Sequence, residues 1–105
     1  MDDILNQLEK ILEERKSAKA NESYVSSLYA KGLDEILKKI GEESTEVVMA
    51  AKDDDQDKII YEVADLWFHT LVLLRFNDIK IDKIQDELSK RFGLSGLEEK
   101  ANRNN

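Results

Sequence analysis

The sequence has 105 residues, with 16 lysines and arginines against 23 aspartates and glutamates, so its formal net charge is −7 when the single histidine is neutral. Hydrophobic residues make up 41% and charged residues 37%, which favours one folded domain, residues 1–105, with a very polar surface. The absence of cysteine excludes a disulfide framework, a thiolate zinc site and a cysteine nucleophile. With no proline and four glycines, the leading prediction is an all-α protein.

Charge and hydropathy also limit the partners. An acidic chain lacks the clustered Lys and Arg that bind phosphate backbones, so we expect no nucleic-acid partner. The acidic start at residues 1–3 is unlike the basic start of a signal peptide. The most apolar stretch, residues 59–76, contains four ionisable side chains, which makes it a poor membrane span. We therefore expect a cytoplasmic protein with no membrane partner.

Hydrophobic residues recur at helical spacing in the first third of the chain. They predict a helix from about residue 3 to 18, with Asp2 or Asp3 as its cap. After a polar stretch, residues 24–32 predict a short helix that Gly32 ends. A long helix is predicted at residues 33–52.

The acidic run at residues 53–57 separates the two longest predicted helices. It lacks the central glycine and the closing glutamate of a calcium loop, so we interpret it as a solvated linker that caps the next helix. Further helices are predicted at about residues 56–77 and 82–91, followed by a mostly polar tail at residues 93–103. The pattern predicts a bundle of four to five helices.

Acidic residues occur at i,i+3 spacing in both long predicted helices. Glu43 and Glu46 lie along one flank of the first apolar face, and Glu62 and Asp65 lie in a narrow polar strip of the second helix. Carboxylates so placed repel each other and are costly to desolvate. A short turn between antiparallel helices brings the two pairs face to face, and four such oxygen ligands suit Mg²⁺ or Mn²⁺.

Simpler interpretations stand beside this one. The first acidic pair alone fits an ordinary exposed helix face, whereas an exposed strip explains the second pair poorly because its helix is otherwise apolar. His69 is interpreted as a hydrogen-bonded residue behind the ligands, or in the core, rather than as a ligand. Gly41 either permits a close backbone approach beside the acids or is merely tolerated in the helix, at about 1 kcal/mol relative to alanine.

The spacing Glu43-x-x-Glu46 followed by Glu62-x-x-Asp65 resembles the signature of the all-α nucleotide pyrophosphohydrolases, the MazG-like superfamily. Further segments resemble one family within it, the phosphoribosyl-ATP pyrophosphohydrolases. These segments are Ser23-Tyr24, Leu28, Gly32, residues 38–43, residues 65–69 and Arg91-Phe92. The resemblance covers about residues 4–103 and implies a helical bundle completed by dimerisation.

The resemblance implies hydrolysis of phosphoribosyl-ATP between its α and β phosphates. The products are phosphoribosyl-AMP and pyrophosphate, in the second step of histidine biosynthesis. By position, Glu43, Glu46, Glu62 and Asp65 are the implied ligands of Mg²⁺, with Mn²⁺ as an alternative. Glu42 is the implied auxiliary acid near the activated water, which completes a catalytic set of five carboxylates.

A polyanionic substrate needs local positive charge on an acidic protein. The candidates for phosphate contacts are Lys31, Lys39, Arg91, Lys100 and Arg103, although each also fits an ordinary surface charge. Ser23 and Tyr24 resemble positions on the substrate side, although a helix-capping Ser and a packing Tyr fit the same pattern.

The predicted helix at residues 56–77 is apolar around nearly its whole circumference. Three other helices of modest length do not cover such a helix, so we expect a symmetric homodimer or a larger homo-oligomer. Two other functions remain open. One is a house-cleaning nucleoside triphosphate pyrophosphohydrolase, and the other is a non-catalytic dimeric module whose carboxylates only pair with Lys38, Lys39 and Arg75.

Overall fold

A computed structural model describes residues 3–92, which form five α-helices. These are α1 (Ile4–Glu14), α2 (Tyr24–Lys31), α3 (Leu33–Lys52), α4 (Gln56–Phe76) and α5 (Ile81–Ser89). No strand occurs within residues 3–92, so the all-α prediction is confirmed. The predicted tail at residues 93–103, with Lys100 and Arg103, lies outside the described residues.

The predicted capping residues begin three of the helices. The side chain of Asp3 accepts from the backbone N–H of Asn6 at 2.9 Å at the start of α1. Asp55 accepts from the N–H of Lys58 at 3.2 Å at the start of α4. Ser23 begins α2 in the same way, so three helix starts follow directly from local side-chain chemistry.

The first helix ends earlier than predicted, at Glu14 instead of residue 18. Beyond it, successive N–H groups bond the carbonyl three residues back, as at Lys16, Ser17 and Ala18, which is a tightened final turn. The carbonyl of Arg15 accepts also from the hydroxyl of Ser26 on α2, at 3.0 Å. The contact with α2 therefore gives a carbonyl at the end of α1 a second donor.

Three residues, 53–55, connect α3 to α4, and the two long helices pack together as a hairpin. Such a short connection makes the helices antiparallel neighbours. Asp54 adopts a left-handed backbone conformation with φ of 55°, which Asp tolerates better than most residues. The acidic run thus acts as the predicted linker and cap.

Side chains from the first four helices form one buried core. Its most buried members are Leu12, Val25, Leu28, Ile36 and Val72. At the edge of this core, the buried guanidinium of Arg75 donates to Glu13 at 2.7 Å. Glu9 accepts from the backbone N–H of Ile81 at 2.7 Å, so α1 holds both the end of α4 and the start of α5.

The single chain leaves part of α4 uncovered. Ile60, Tyr61 and Trp67 are exposed by 61%, 68% and 59%, respectively. Trp67 also borders an apolar groove of about 480 Å³ whose other walls include Leu5 and Ile84. None of the helices within residues 3–92 is long and apolar enough to cross a membrane.

Candidate functional site

The α3–α4 hairpin brings carboxyl groups from both helices together, as the two i,i+3 pairs predicted. Glu43 on α3 is half-buried and its carboxyl lies against those of Asp65 and Glu62 on α4. The pKa of Glu43 is raised from 4.5 to about 7 by burial, by hydrogen bonding and repulsion from Asp65, and by the charge of Glu62. These acids form a site of concentrated negative charge, which we call the carboxyl cluster (Glu43, Glu62 and Asp65).

Two members of the carboxyl cluster, together with His69, have the spacing of a cation site. One ligand atom from each of Glu43, Asp65 and His69 lies within 4.8 Å of the others. Carboxylate oxygens suit a hard divalent cation, whereas Glu43 and Asp65 without one repel each other. Two predicted ligands lie outside this group: Glu62, and Glu46, which is exposed one turn further along α3.

His69 occupies a buried position directly behind Asp65 and is only 3% exposed. Its Nδ1 lies 3.0 Å from the backbone carbonyl oxygen of Asp65, and its Nε2 lies 2.8 Å from the hydroxyl of Tyr24. Both ring nitrogens therefore have hydrogen-bond partners, which agrees with a residue behind the ligands rather than a ligand.

Tyr24 and Lys39, two predicted substrate-side residues, lie next to the carboxyl cluster. The pKa of the Tyr24 hydroxyl is raised by burial and, against the effect of Lys39, by the charges of Asp65, Glu43 and Glu35. Glu35 was absent from the predicted site. Its spacing could have predicted it, because residues 35, 39 and 43 lie at i,i+4 intervals along one line of α3.

Four other predicted residues, within residues 3–92, are exposed or have local roles. Ser23 caps α2, and Lys31 is exposed at the last position of that helix. Arg91 is exposed and pairs with Glu87 at 3.3 Å. Glu42 is exposed on α3 beside Glu43. Their predicted roles rest on sequence position alone.

Two of the alternatives from the sequence can be decided on geometry. Within residues 3–92, a Cβ added at Gly41 meets no atom within 4 Å, so the single chain makes no close backbone approach there, which agrees with the alternative that the glycine is tolerated. Within residues 3–92, the cations Lys38, Lys39 and Arg75 make no ion pair with the carboxyl cluster, and Arg75 pairs with Glu9 and Glu13 instead.

The all-helical fold, with acids facing each other across a helical hairpin, agrees with the resemblance to the all-α nucleotide pyrophosphohydrolases. Compared with protein-family profiles, residues 5–92 match the phosphoribosyl-ATP pyrophosphohydrolase family. That match covers most of the sequence, so the chain belongs to this family of hydrolases.

Close relatives carry the corresponding name. The phosphoribosyl-ATP pyrophosphatase of Vesicomyosocius okutanii is 75% identical over the full length of both chains, and that of Ruthia magnifica is 74% identical over the full length of both. The phosphoribosyl-ATP pyrophosphatase of Hydrogenovibrio crunogenus is 62% identical, over 96% of this chain and 93% of its own.

Proposed function

We propose that this protein hydrolyses phosphoribosyl-ATP to phosphoribosyl-AMP and pyrophosphate, the second step of histidine biosynthesis. The observation that carries the proposal is the contact of Glu43 on α3 with Asp65 and Glu62 on α4. These acids repel one another, and a bound cation would compensate their charge. The family match across residues 5–92 supports the same function. The same match supports one domain over residues 1–105.

The donor chemistry of the carboxyl cluster fits Mg²⁺, with Mn²⁺ as the closest substitute. Glu43 and Asp65 supply oxygens close enough to share one ion, and Glu62 adds charge beside them. Glu46 completes the proposed set from the neighbouring turn. When bound, Mg²⁺ neutralises phosphate charge and lowers the pKa of its water.

The chain's own residues then have distinct tasks. Glu43, Glu46, Glu62 and Asp65 would hold the cation in place, and the carboxylate of the auxiliary acidic residue Glu42 would act as the base that accepts a proton from the attacking water. Attack on the α phosphorus breaks the bond to the bridging oxygen, and pyrophosphate leaves with that oxygen. The chain needs no serine nucleophile or histidine base for this reaction.

Basic residues supply the charge that attracts the phosphates. Lys39 is the best placed, because it lies near Tyr24 at the carboxyl cluster. Lys31 and Arg91 belong to the proposed set by position, as do Lys100 and Arg103. Ser23 and Tyr24 remain candidates for the substrate side.

The proposed working form is a homodimer or a larger homo-oligomer in the cytoplasm, with no nucleic-acid or membrane partner. The exposed apolar side chains of α4, including Ile60 and Trp67, support it because a second chain would bury them. The overall net charge of −7 agrees with the absence of a nucleic-acid surface.

A substrate panel tests the proposal. Purified protein with Mg²⁺ is offered phosphoribosyl-ATP and a set of ordinary and noncanonical nucleoside triphosphates, and pyrophosphate release is measured. We expect turnover of phosphoribosyl-ATP with one pyrophosphate for each phosphoribosyl-AMP. Turnover of the triphosphates alone would identify a house-cleaning enzyme, and no turnover of any substrate would favour the non-catalytic module.

A further inference from the structure

Tyr24 is a partly exposed residue whose hydroxyl reaches the buried His69. Its side chain belongs to the first residue of α2 and is 49% exposed, yet its hydroxyl lies 2.8 Å from Nε2 of His69, a residue 45 positions away on α4. Only 3% of His69 is exposed, so water has little access to the histidine side of this bond.

The partners of His69 determine its tautomer. The backbone carbonyl of Asp65, 3.0 Å from Nδ1, can only accept, so Nδ1 carries the proton in the neutral ring. Nε2 then has a free lone pair, and the hydroxyl of Tyr24 donates to it. Nδ1 itself lies 3.6 Å from Oδ1 of Asp65, which is too far for a hydrogen bond but close enough for its N–H dipole to attract the carboxylate.

Aromatic contacts fix the plane of the imidazole. The ring of Tyr24 meets it edge-on, with centroids 5.8 Å apart, and the ring of Phe68 does so at 5.4 Å. Two hydrogen bonds and two ring contacts therefore hold His69 in one orientation. A donor held in this way can restrain the side chain of Asp65 before a cation arrives.

We propose that Tyr24 is a positioning residue, which acts through His69 to orient the Asp65 carboxylate for cation binding. This inference rests on the proposed function, because it assigns Asp65 to a cation. Without the Tyr24 hydroxyl, Nε2 is a buried acceptor with no partner, and the tautomer that directs Nδ1–H toward Asp65 loses its support. The role differs from a contact to substrate, which needs no link to His69.

The test compares Tyr24→Phe with Tyr29→Phe. Both variants remove one hydroxyl from α2 and keep the ring, but Tyr29 donates to the backbone carbonyl of Leu12 at 3.0 Å, in the core. The first readout is binding of Mn²⁺ alone, followed by the electron paramagnetic resonance of free Mn²⁺. We expect Tyr24→Phe to weaken Mn²⁺ binding about tenfold or more, whereas Tyr29→Phe binds Mn²⁺ as the wild type does.

The second readout is the tautomer of His69 at mildly alkaline pH. The chain contains one histidine, so its imidazole ¹⁵N signals need no assignment. We expect the Nδ1–H form in the wild type and in Tyr29→Phe, and a mixture of both forms in Tyr24→Phe. An unchanged tautomer together with unchanged Mn²⁺ affinity in Tyr24→Phe would overturn the inference.

The third readout separates positioning from substrate binding. We expect the loss of turnover in Tyr24→Phe to shrink as Mg²⁺ is raised, because excess cation compensates for a weakened cation site. A raised KM at saturating Mg²⁺, with normal Mn²⁺ binding, would instead make Tyr24 a substrate contact and reject the positioning role. A wild type that binds Mn²⁺ but does not hydrolyse phosphoribosyl-ATP would reject the proposed function alone, since the Mn²⁺ comparison still decides the role of Tyr24.

Discussion

Replacing Glu43 by glutamine should stabilise the metal-free protein at high pH while removing a ligand. The pKa of Glu43 is raised from 4.5 to about 7 in the folded state by burial and by its acidic neighbours. The folded state therefore holds the proton more tightly than the unfolded state. Ionisation of Glu43 costs stability, and this cost is absent below a pH of 4.5, grows up to about 7 and is complete above it.

The size of the effect follows from the same two values. A pKa raised from 4.5 to about 7 corresponds to a ceiling of about 3 kcal/mol in the free energy of unfolding. Because the carboxyl of Glu43 is only half-buried, solvent screening reduces this contribution. We expect the variant to gain about 1 kcal/mol in the free energy of unfolding. Glutamine removes the negative charge at every pH, and its amide can donate to Asp65 as a protonated acid does.

Urea unfolding in the presence of a chelator, followed by the fluorescence of the single tryptophan, measures this difference at one protein concentration. The variant should be more stable than the wild type at a pH of about 8, with the difference lost near a pH of about 4. Glu46→Gln is the matched control, because it makes the same charge change on the same helix at an exposed position. An equal gain in the control, or a gain independent of pH, would refute the reasoning.

Three further predictions address the fold and the assembly. Gly41→Ala should raise the free energy of unfolding by about 0.5–1 kcal/mol, since no atom opposes the added Cβ, and a loss in urea unfolding would contradict this. Ile36→Ala, at a fully buried position, should lower it by about 2–4 kcal/mol, whereas a loss below about 1 kcal/mol would contradict tight packing. Trp67→Lys should convert the proposed oligomer to monomers in sedimentation experiments, and an unchanged sedimentation coefficient would exclude Trp67 from the interface.

Local sequence patterns predicted the helices well because most determinants of their ends lie within a few residues. Asp3 and Asp55 each cap a helix through a backbone N–H three positions later. The end of α1 escaped prediction because a distant group decides it. The hydroxyl of Ser26, 11 residues from Arg15, donates to the Arg15 carbonyl at the point where α1 tightens into its final turn.

The carboxyl cluster was predictable for a similar reason. Two acidic pairs at i,i+3 spacing on either side of a three-residue connection must face each other once the hairpin forms. The sequence did not reveal that Glu46 lies further out than Glu43, because both fit the same flank of α3 and only packing separates their exposure.

Contacts between helices that no short connection joins could not be predicted. The hydrogen bond from Tyr24 to His69 and the ion pair of Arg75 with Glu13 span 45 and 62 positions of the chain. No periodicity records such pairs, because each depends on how α1 and α2 dock against α4. These docking contacts place Tyr24 against His69, which in turn lies against Asp65.

Pyrophosphate release from phosphoribosyl-ATP tests most directly whether the carboxyl cluster performs metal-dependent hydrolysis. The measurement compares the wild type, Glu62→Gln in the cluster and Asp57→Asn, an exposed change on the same helix, each with Mg²⁺ and with a chelator. We predict release by the wild type and Asp57→Asn only with Mg²⁺, and none by a folded Glu62→Gln. Full activity of Glu62→Gln, or undiminished wild-type release with the chelator, would contradict the assignment of this site.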